Sequence, residues 1–533
     1  MHAAILALLL STTAAVAEKA ADTVVVCPVE FRQAMSSWIE HRTRQGRTVE
    51  VVSNDPSAEK IRAAIRRVAA GGRLRFVVLV GDAEPAAAND PRIMARCVPA
   101  HLAKAKVNIH WGSEPLIATD NWYADLDNDQ VPDVAIGRLS ADSPQQLKTI
   151  VDKILAYERT ADYGPWRRRV HFVAGVGGFG KLADSVLEMG AKKFITEGIP
   201  AAYATTMTYG SWQSPYCPDP RHFHRTTIEG LNRGGLFWVY IGHGRRQMLD
   251  RVRAGGRTYH IFDTRDVAQL RCTSGAPIAI FLSCYTGSFD DGRDCLAEEM
   301  LRTPGGPVAV FCGSRVTMPY AMANMATEMM DECFQRRRET IGEVILHAKR
   351  NLVRGSGLGT RRLLLDMLAK SISPQGTDLA EERMEHLKLF NLLGDPLLRL
   401  PQPKVATLRV AKTATAGDAV EVTGTCGVAG RCTVELVVRR DRLTFLPVPR
   451  LAFNAADDAL TSYQAVYTRA NDTRLDSVVL TTAGGTFRAK LQAPETASGP
   501  CHVRVYVEGK SSFAIGFADL LVTRPPQKDG KER

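Results

Sequence analysis

No apolar run outside the N-terminus approaches the roughly 18 residues needed to cross a bilayer. A helical membrane span is therefore not expected. A basic stripe interleaved with aromatics is also missing. The net charge of +11 comes from scattered Lys and Arg, with only short clusters such as Arg167-Arg168-Arg169 and Arg336-Arg337-Arg338. Nucleic acid is therefore not an expected partner, and a solvated basic surface accounts for the charge. Residues 1–17 contain no Lys or Arg. Ala3 to Leu10 is nevertheless a short apolar core, followed by Ser11-Thr12-Thr13 and then Ala15-Val16-Ala17 before Glu18. That small-x-small triplet is the pattern of a signal-peptidase site; a misplaced start or a buried first strand is the other reading. No cysteine follows the triplet, so a lipid anchor is not suggested there. The expectation is a signal peptide over 1–17 and a soluble mature chain that is extracellular, periplasmic or at the cell surface.

What is present is ordinary in bulk and specific in detail. A hydrophobic fraction of 45% and a charged fraction of 23% fit a globular protein, and 533 residues exceed one compact domain. The 11 cysteines all lie beyond the signal segment. In an oxidising compartment most would be expected to pair, and the odd count leaves at least one thiol over. Cys284 is the candidate for it, and Cys426 with Cys432 is the one pair close enough in sequence to suggest a small loop.

Strand and helix alternate from Thr23 onward. Thr23 to Val26, Val49 to Val52 and Arg75 to Val80 read as strands, with helical apolar spacing over Phe31 to Arg42 and Ile61 to Ala69 between them. Val170 to Val173, Ala201 to Met207, Leu236 to Ile241, Ile278 to Leu282 and Val308 to Phe311 continue the pattern, with helices over Gln145 to Glu158, Leu182 to Ile195, Ala321 to Arg336 and Ile341 to Val353. This alternation implies a parallel α/β layer, placed over 22–160 and 161–402 as two subdomains. Pro401-Gln402-Pro403 marks a linker. Beyond it, runs rich in Val and Thr with recurring turn signals predict an all-β sandwich of the immunoglobulin kind over 403–524. The charged tail 525–533 is expected to be disordered.

Two strand ends carry chemistry. The run from Leu236 ends in Tyr240-Ile241-Gly242-His243-Gly244, and the run from Ile278 ends in Ser283-Cys284-Tyr285-Thr286-Gly287-Ser288-Phe289. Ligand chemistry in an open parallel sheet sits at the carboxyl ends of strands. A histidine and a cysteine on neighbouring ends then read as base and thiolate nucleophile. Gly244 is a natural backbone N–H donor to an oxyanion, with the N–H of Cys284 as the second, and Gly287 is expected to turn the chain behind the nucleophile. Residue chemistry alone leaves the alternatives open: His243 as a satisfied loop histidine, Cys284 as an inert buried thiol. Cys312, which also ends an apolar strand, is the comparison case.

The ordered blocks go further. Tyr240 to Gly244, Cys284 to Phe289, Cys295-Leu296-Ala297-Glu298, Gly305 to Val310, Asp120 to Tyr123, Pro132 to Arg138 and Phe390 to Pro396 resemble, in the same order, the gingipain family of cysteine peptidases in the caspase-like clan. The resemblance covers roughly 22–402. It implies a caspase-like catalytic domain followed by an immunoglobulin-like domain, a His243–Cys284 dyad and oxyanion donors at Gly244 and Cys284. Protein or peptide substrates are implied, with no required cofactor. In arginine-specific members a glutamate before a Gly-Gly pair orients the histidine; matching that pair to Gly177-Gly178 puts Val176 in its place. Asp184 matches the substrate-pocket aspartate across a gap, with a helix-surface role as its alternative, and Tyr320 is a further substrate-binding candidate. No long pro-segment separates Ala17 from Thr23.

Asp125, Asp127, Asp129 and Asp133 alternate as carboxylates do in calcium loops. The sixth position lacks the glycine of an EF-hand, so structural calcium and a solvated acidic loop are both open. Three functional readings follow: a secreted cysteine endopeptidase, a cell-surface transpeptidase or sorting peptidase using the same acyl-enzyme, and a non-catalytic surface or adhesion protein on the same scaffold. The sequence does not specify an oligomeric state.

Overall fold

The computed structural model describes residues 20–83, 90–177, 196–354, 366–367, 369–370 and 378–524. The expected signal peptide, the helix with Asp184 and the C-terminal tail lie outside these. One ten-stranded sheet organises the first 400 residues. In spatial order its strands are Val49–Val52, Thr23–Val26, Phe76–Val80, Ala135–Leu139, Phe390–Leu393, Ala309–Gly313, Ile278–Leu282, Phe237–Ile241, Arg169–Ala174 and Ala204–Tyr209. Its central strands, such as Phe76–Val80 and Ile278–Leu282, are buried at every position. That is why they read as continuous Val/Ile/Phe runs rather than alternating ones.

Phe390–Leu393 is the hinge of the topology. It pairs parallel with Ala135–Leu139 but antiparallel with Ala309–Gly313. The two halves of the sheet therefore run in opposite directions, and the carboxyl ends bearing Ile241 and Leu282 belong to the second half alone. The junction is close-packed: a Cβ on Gly394 would lie 2.6 Å from that of Ala309. Beside it the buried Arg138 guanidinium makes two bonds to Asp120, at 2.8 and 2.6 Å, and two more to the carbonyls of Gly81 and Val98. A buried cation is tolerated when paired and saturated in this way.

Local signals account for the helix starts. Ser57 and Ser143 cap Ala58–Ala69 and Pro144–Arg159 by accepting from backbone N–H groups, with Pro144 at the first helical position of the second. The segment 119–138 contains a short helix, Asn121–Ala124, before the acidic loop.

After the linker, strands Lys404–Arg409, Ala419–Cys426, Gly430–Val438, Arg474–Thr482, Gly485–Gln492, Gly499–Gly509 and Phe513–Thr523, with the short Thr413–Thr415, form one hydrogen-bonded path. Their inward residues, among them Val422, Val434, Leu436, Leu491, Val503 and Val505, share one apolar core. Every second residue along Ala419–Cys426 is buried and the others are exposed or half-buried, which is the period-two pattern. The sequence did not reveal the helix Asp457–Ala470 inserted between two strands. The loop just after this helix docks on the edge of the large sheet: Asn471 accepts from Met207 N at 2.7 Å and donates to Met207 O at 3.0 Å. The Asn471 amide thus occupies backbone groups that an edge strand would otherwise expose. Glu435, buried, bridges Arg168 of the α/β unit at 2.9 Å and Arg504 of the β unit at 2.8 Å.

The expected disulfides are not found. Each of the eleven cysteines stands as a thiol rather than as half of a disulfide. Cys426 and Cys432 both sit in the apolar core of the β unit, where burial pushes the Cys432 thiol up to about 12. They behave as small hydrophobes rather than as a staple.

Candidate active site

His243 and Cys284 follow two strands that lie side by side. Phe237–Ile241 pairs with Ile278–Leu282 in parallel, Ile241 opposite Leu282. Past these ends the chains stay in contact. A Cβ on Gly244 would fall 2.6 Å from Cys284 O and 2.9 Å from Ser283 Oγ, so this position admits only glycine. Gly242, at φ +153°, turns the chain ahead of His243, and a side chain there would meet Tyr240 Oη and the backbone of Gly175. The His243 carbonyl accepts from Tyr240 Oη at 2.7 Å and from Asp250 N at 3.1 Å. His243 itself is half-buried.

Cys284 is half-buried, whereas the other ten cysteines are buried. This separates it from Cys312, which is fully enclosed and whose thiol is pushed well above the ordinary value by burial and by Glu298. Tyr285, directly after Cys284, adopts a left-handed conformation at φ +58°. For a side chain other than glycine that costs on the order of 1–2 kcal/mol, and such strain persists only where surroundings impose it. Here Tyr285 N donates to Arg315 O, Thr286 N to Cys284 O and Gly287 N to Gly313 O. Gly287 is therefore not the turning residue. It is glycine because a Cβ would lie 2.3 Å from Cys312 Sγ.

Charged groups pin the same loop. Tyr285 Oη donates to Glu114 Oε2 at 2.7 Å, and Arg246 bonds Glu114 at 2.9 Å and Asp291 at 2.6 Å. Burial, then the Glu114 carboxylate, pushes the Tyr285 hydroxyl up to about 12. Burial alone would raise Glu114, but the Tyr285 bond and the Arg315 and Arg246 guanidinium groups hold it below the ordinary carboxylate value. Arg315 in turn forks onto Asp290, which is buried like itself.

The sulfur has a partner that the sequence did not suggest. Thr317 N donates to Cys284 Sγ at 3.3 Å, with Thr317 Oγ1 3.6 Å from the sulfur. Thr317 follows the strand Ala309–Gly313 and precedes the helix Pro319–Met330, so the carboxyl-end rule that located His243 and Cys284 also leads to it. The helix Leu379–Leu389 clamps this segment from behind. Met318 N donates to His386 Nε2 at 3.1 Å and Ala321 N to Glu382 Oε1 at 3.1 Å. Burial lowers His386 to about 4 and raises Glu382 to about 7. The imidazole is therefore a neutral acceptor at physiological pH. Tyr320 is also buried, its hydroxyl bonded to Asp366 and Arg383.

Asp125, Asp127 and Asp133 each bring a carboxylate oxygen within 4.8 Å of the others, while Asp129 is not part of that group. Arg62 already lies 3.2 Å from Asp125. Backbone N–H groups of Asn128, Asp129 and Leu126 occupy one oxygen each of Asp125, Asp127 and Asp133. The second oxygens are of the hard type that calcium takes.

Residues 16–401 match the family model described as Peptidase family C25. Among curated proteins, Gingipain R2 of Porphyromonas gingivalis is 26% identical over 323 residues, which cover 58% of this chain and 39% of that protein. Lys-gingipain of the same organism is 22% identical over 307 residues, covering 55% of this chain and 15% of the relative. The chain thus spans about two fifths or less of the length of these relatives. Among solved structures, the crystal structure of the Arg specific cysteine proteinase gingipain R superposes with a TM-score of 0.54 at 18% identity, over 95% of this chain and 99% of that one. At that identity the likeness establishes the fold.

Proposed function

The chain belongs to peptidase family C25, and on that basis we propose that it is a cysteine endopeptidase with Cys284 as nucleophile and His243 as base. The supporting observation is that, of eleven thiols, only the one at the strand end beside His243 is not buried. In the proposed reaction His243 takes the thiol proton and Cys284 Sγ attacks the peptide carbonyl carbon. The carbonyl oxygen becomes an oxyanion, for which the N–H groups of Gly244 and Cys284 are the proposed donors. The C–N bond then breaks, the amine leaves with the proton from His243, and water hydrolyses the thioester with His243 again as base. Thr317 N–H favours the thiolate by donating to it.

Peptidyl acyloxymethyl ketones with varied P1 residues test this reading. Labelling of the wild type and none of Cys284→Ala is expected, together with a fall in turnover of at least about 10³-fold in folded His243→Ala. Equal labelling of Cys284→Ala would overturn the assignment. Capture of the acyl group by added amine in preference to water would instead indicate a transpeptidase. No labelling by any P1 residue would point to a non-catalytic scaffold. Arg- or Lys-directed specificity through Asp184, and substrate contact through Tyr320, are proposals that the same panel addresses.

Export rests on the Ala15-Val16-Ala17 pattern; a mature N-terminus near Glu18 by Edman sequencing would support it. A structural calcium ion in the Asp125–Asp133 loop, with Asp129 as a further proposed ligand, is supported by the three converging carboxylates of Asp125, Asp127 and Asp133. A melting temperature unchanged by EGTA after exhaustive dialysis would rule it out.

A further inference from the structure

A histidine acting as base needs its ring held in one tautomer and orientation, usually by a carboxylate. Val176 cannot do this from the position where the resemblance expected a glutamate. The hairpin after His243 offers another source. Gly244 pairs with Leu249 and Arg245 with Met248, antiparallel, around a turn at Arg246-Gln247. One step outward, Asp250 N donates to His243 O at 3.1 Å. That bond continues the ladder and sets Asp250 directly opposite His243. Residues opposite one another in an antiparallel pair project from the same face, with Cβ atoms about 4.5–5.5 Å apart. Leu249, of the neighbouring pair, is buried. The hairpin therefore turns its Leu249 face to the core and its His243–Asp250 face the other way.

Three further observations converge on this pair. Tyr240 Oη donates to His243 O at 2.7 Å and accepts from Asp250 N at 3.3 Å, tying the two backbones together. Gly175, immediately before Val176, lets that strand end approach the same pair closely: a Cβ there would lie 2.8 Å from Tyr240 Oη and 3.3 Å from Asp250 Cβ. Arg251 N donates to Asp250 Oδ1 at 2.7 Å, fixing one oxygen.

We propose that Asp250 is the positioning carboxylate for His243, supplied by the strand after the histidine. The proposal rests on the cysteine-peptidase reading above. In it, Asp250 orients the imidazole and stabilises the imidazolium formed when Cys284 gives up its proton. It touches neither substrate nor sulfur.

The test uses the full-length protein with a peptide substrate chosen from the labelling panel. Asp250→Asn is expected to lower kcat by ten- to a thousandfold with KM changed less than threefold and the melting temperature within a few degrees. Asp250→Glu is expected to recover at least tenfold of the loss seen in Asp250→Ala. A purely structural role would not produce that split or that rescue. Proton NMR adds a readout independent of turnover: a low-field imidazole N–H resonance, absent from His243→Ala, should also vanish in Asp250→Asn. A folded Asp250→Asn with wild-type kcat, or one that keeps the low-field resonance, would overturn the proposal. If Asp250→Asn fails to fold, loss of activity in Asp250→Glu equal to that in Asp250→Ala would overturn it as well. Failure of the wild type to be labelled at Cys284 would instead overturn the peptidase reading beneath it.

Discussion

The backbone N–H of Thr317 donates to the sulfur of Cys284 across 3.3 Å. A main-chain group makes this contact, from a segment held at Met318 and Ala321 by the side chains of His386 and Glu382. The sulfur is thus met by a donor on a third strand end, beside the two that carry Cys284 and His243.

Because the donor is backbone, Thr317→Ala should leave kcat/KM within about tenfold of the wild type, the loss of one weak hydroxyl contact costing about 1 kcal/mol or less. Steady-state kinetics decide the point. A loss above a hundredfold in a folded variant would make the hydroxyl, not the N–H, the group that matters.

Gly287→Ala should destabilise the protein by about 1–3 kcal/mol through overpacking, because the added Cβ would lie 2.3 Å from Cys312 Sγ and 2.9 Å from its Cβ. Removing the sulfur in Gly287→Ala/Cys312→Ala should recover part of that loss, and urea denaturation of the four proteins in the cycle measures the coupling. Strict additivity would refute the contact as the cause.

Glu382 sets a pH dependence of stability. Burial raises its carboxyl from 4.5 to about 7, with one N–H bond from Ala321 partly opposing the shift. Between these values the folded state binds the proton more tightly than the unfolded one. Stability is therefore fully present below about 4.5 and falls as pH rises through about 7. The expected loss is at most about 3 kcal/mol. Glu382→Gln should be more stable than the wild type at pH 8 and gain little at pH 4.5. Thermal melts across that range would expose an error if the two curves stayed parallel.

Truncation after residue 402 should not yield a well-behaved monomer. It would uncover the edge strand Ala204–Tyr209 at Met207, where Asn471 now bonds, and leave Arg168 without Glu435. Breaking a buried ion pair from one side costs about 3–5 kcal/mol. Light scattering of the purified 20–402 fragment is the measurement; a soluble, cooperative monomer would show the β unit to be dispensable for the fold.

The sequence showed eight of the ten strands of the large sheet, because residues buried on both faces form continuous apolar runs, but not Ala135–Leu139 or the hinge strand Phe390–Leu393. It also showed most strands of the β unit, because one-sided burial imposes alternation. His243 and Cys284 stood out because chemistry at a strand end interrupts such a run. The helix Asp457–Ala470 was not legible, since its apolar face is defined by a docking surface far away in the chain.

Local pattern thus determined which residues form the elements and which two side chains end neighbouring strands. Tertiary structure alone decided that Cys284 is the accessible thiol and Cys312 the enclosed one, that Tyr285 rather than Gly287 takes the strained turn, and that Thr317 N meets the sulfur. Each of these depends on register between segments distant in sequence or on space left by a missing Cβ. Neither quantity is carried by the periodicity of a single stretch of chain.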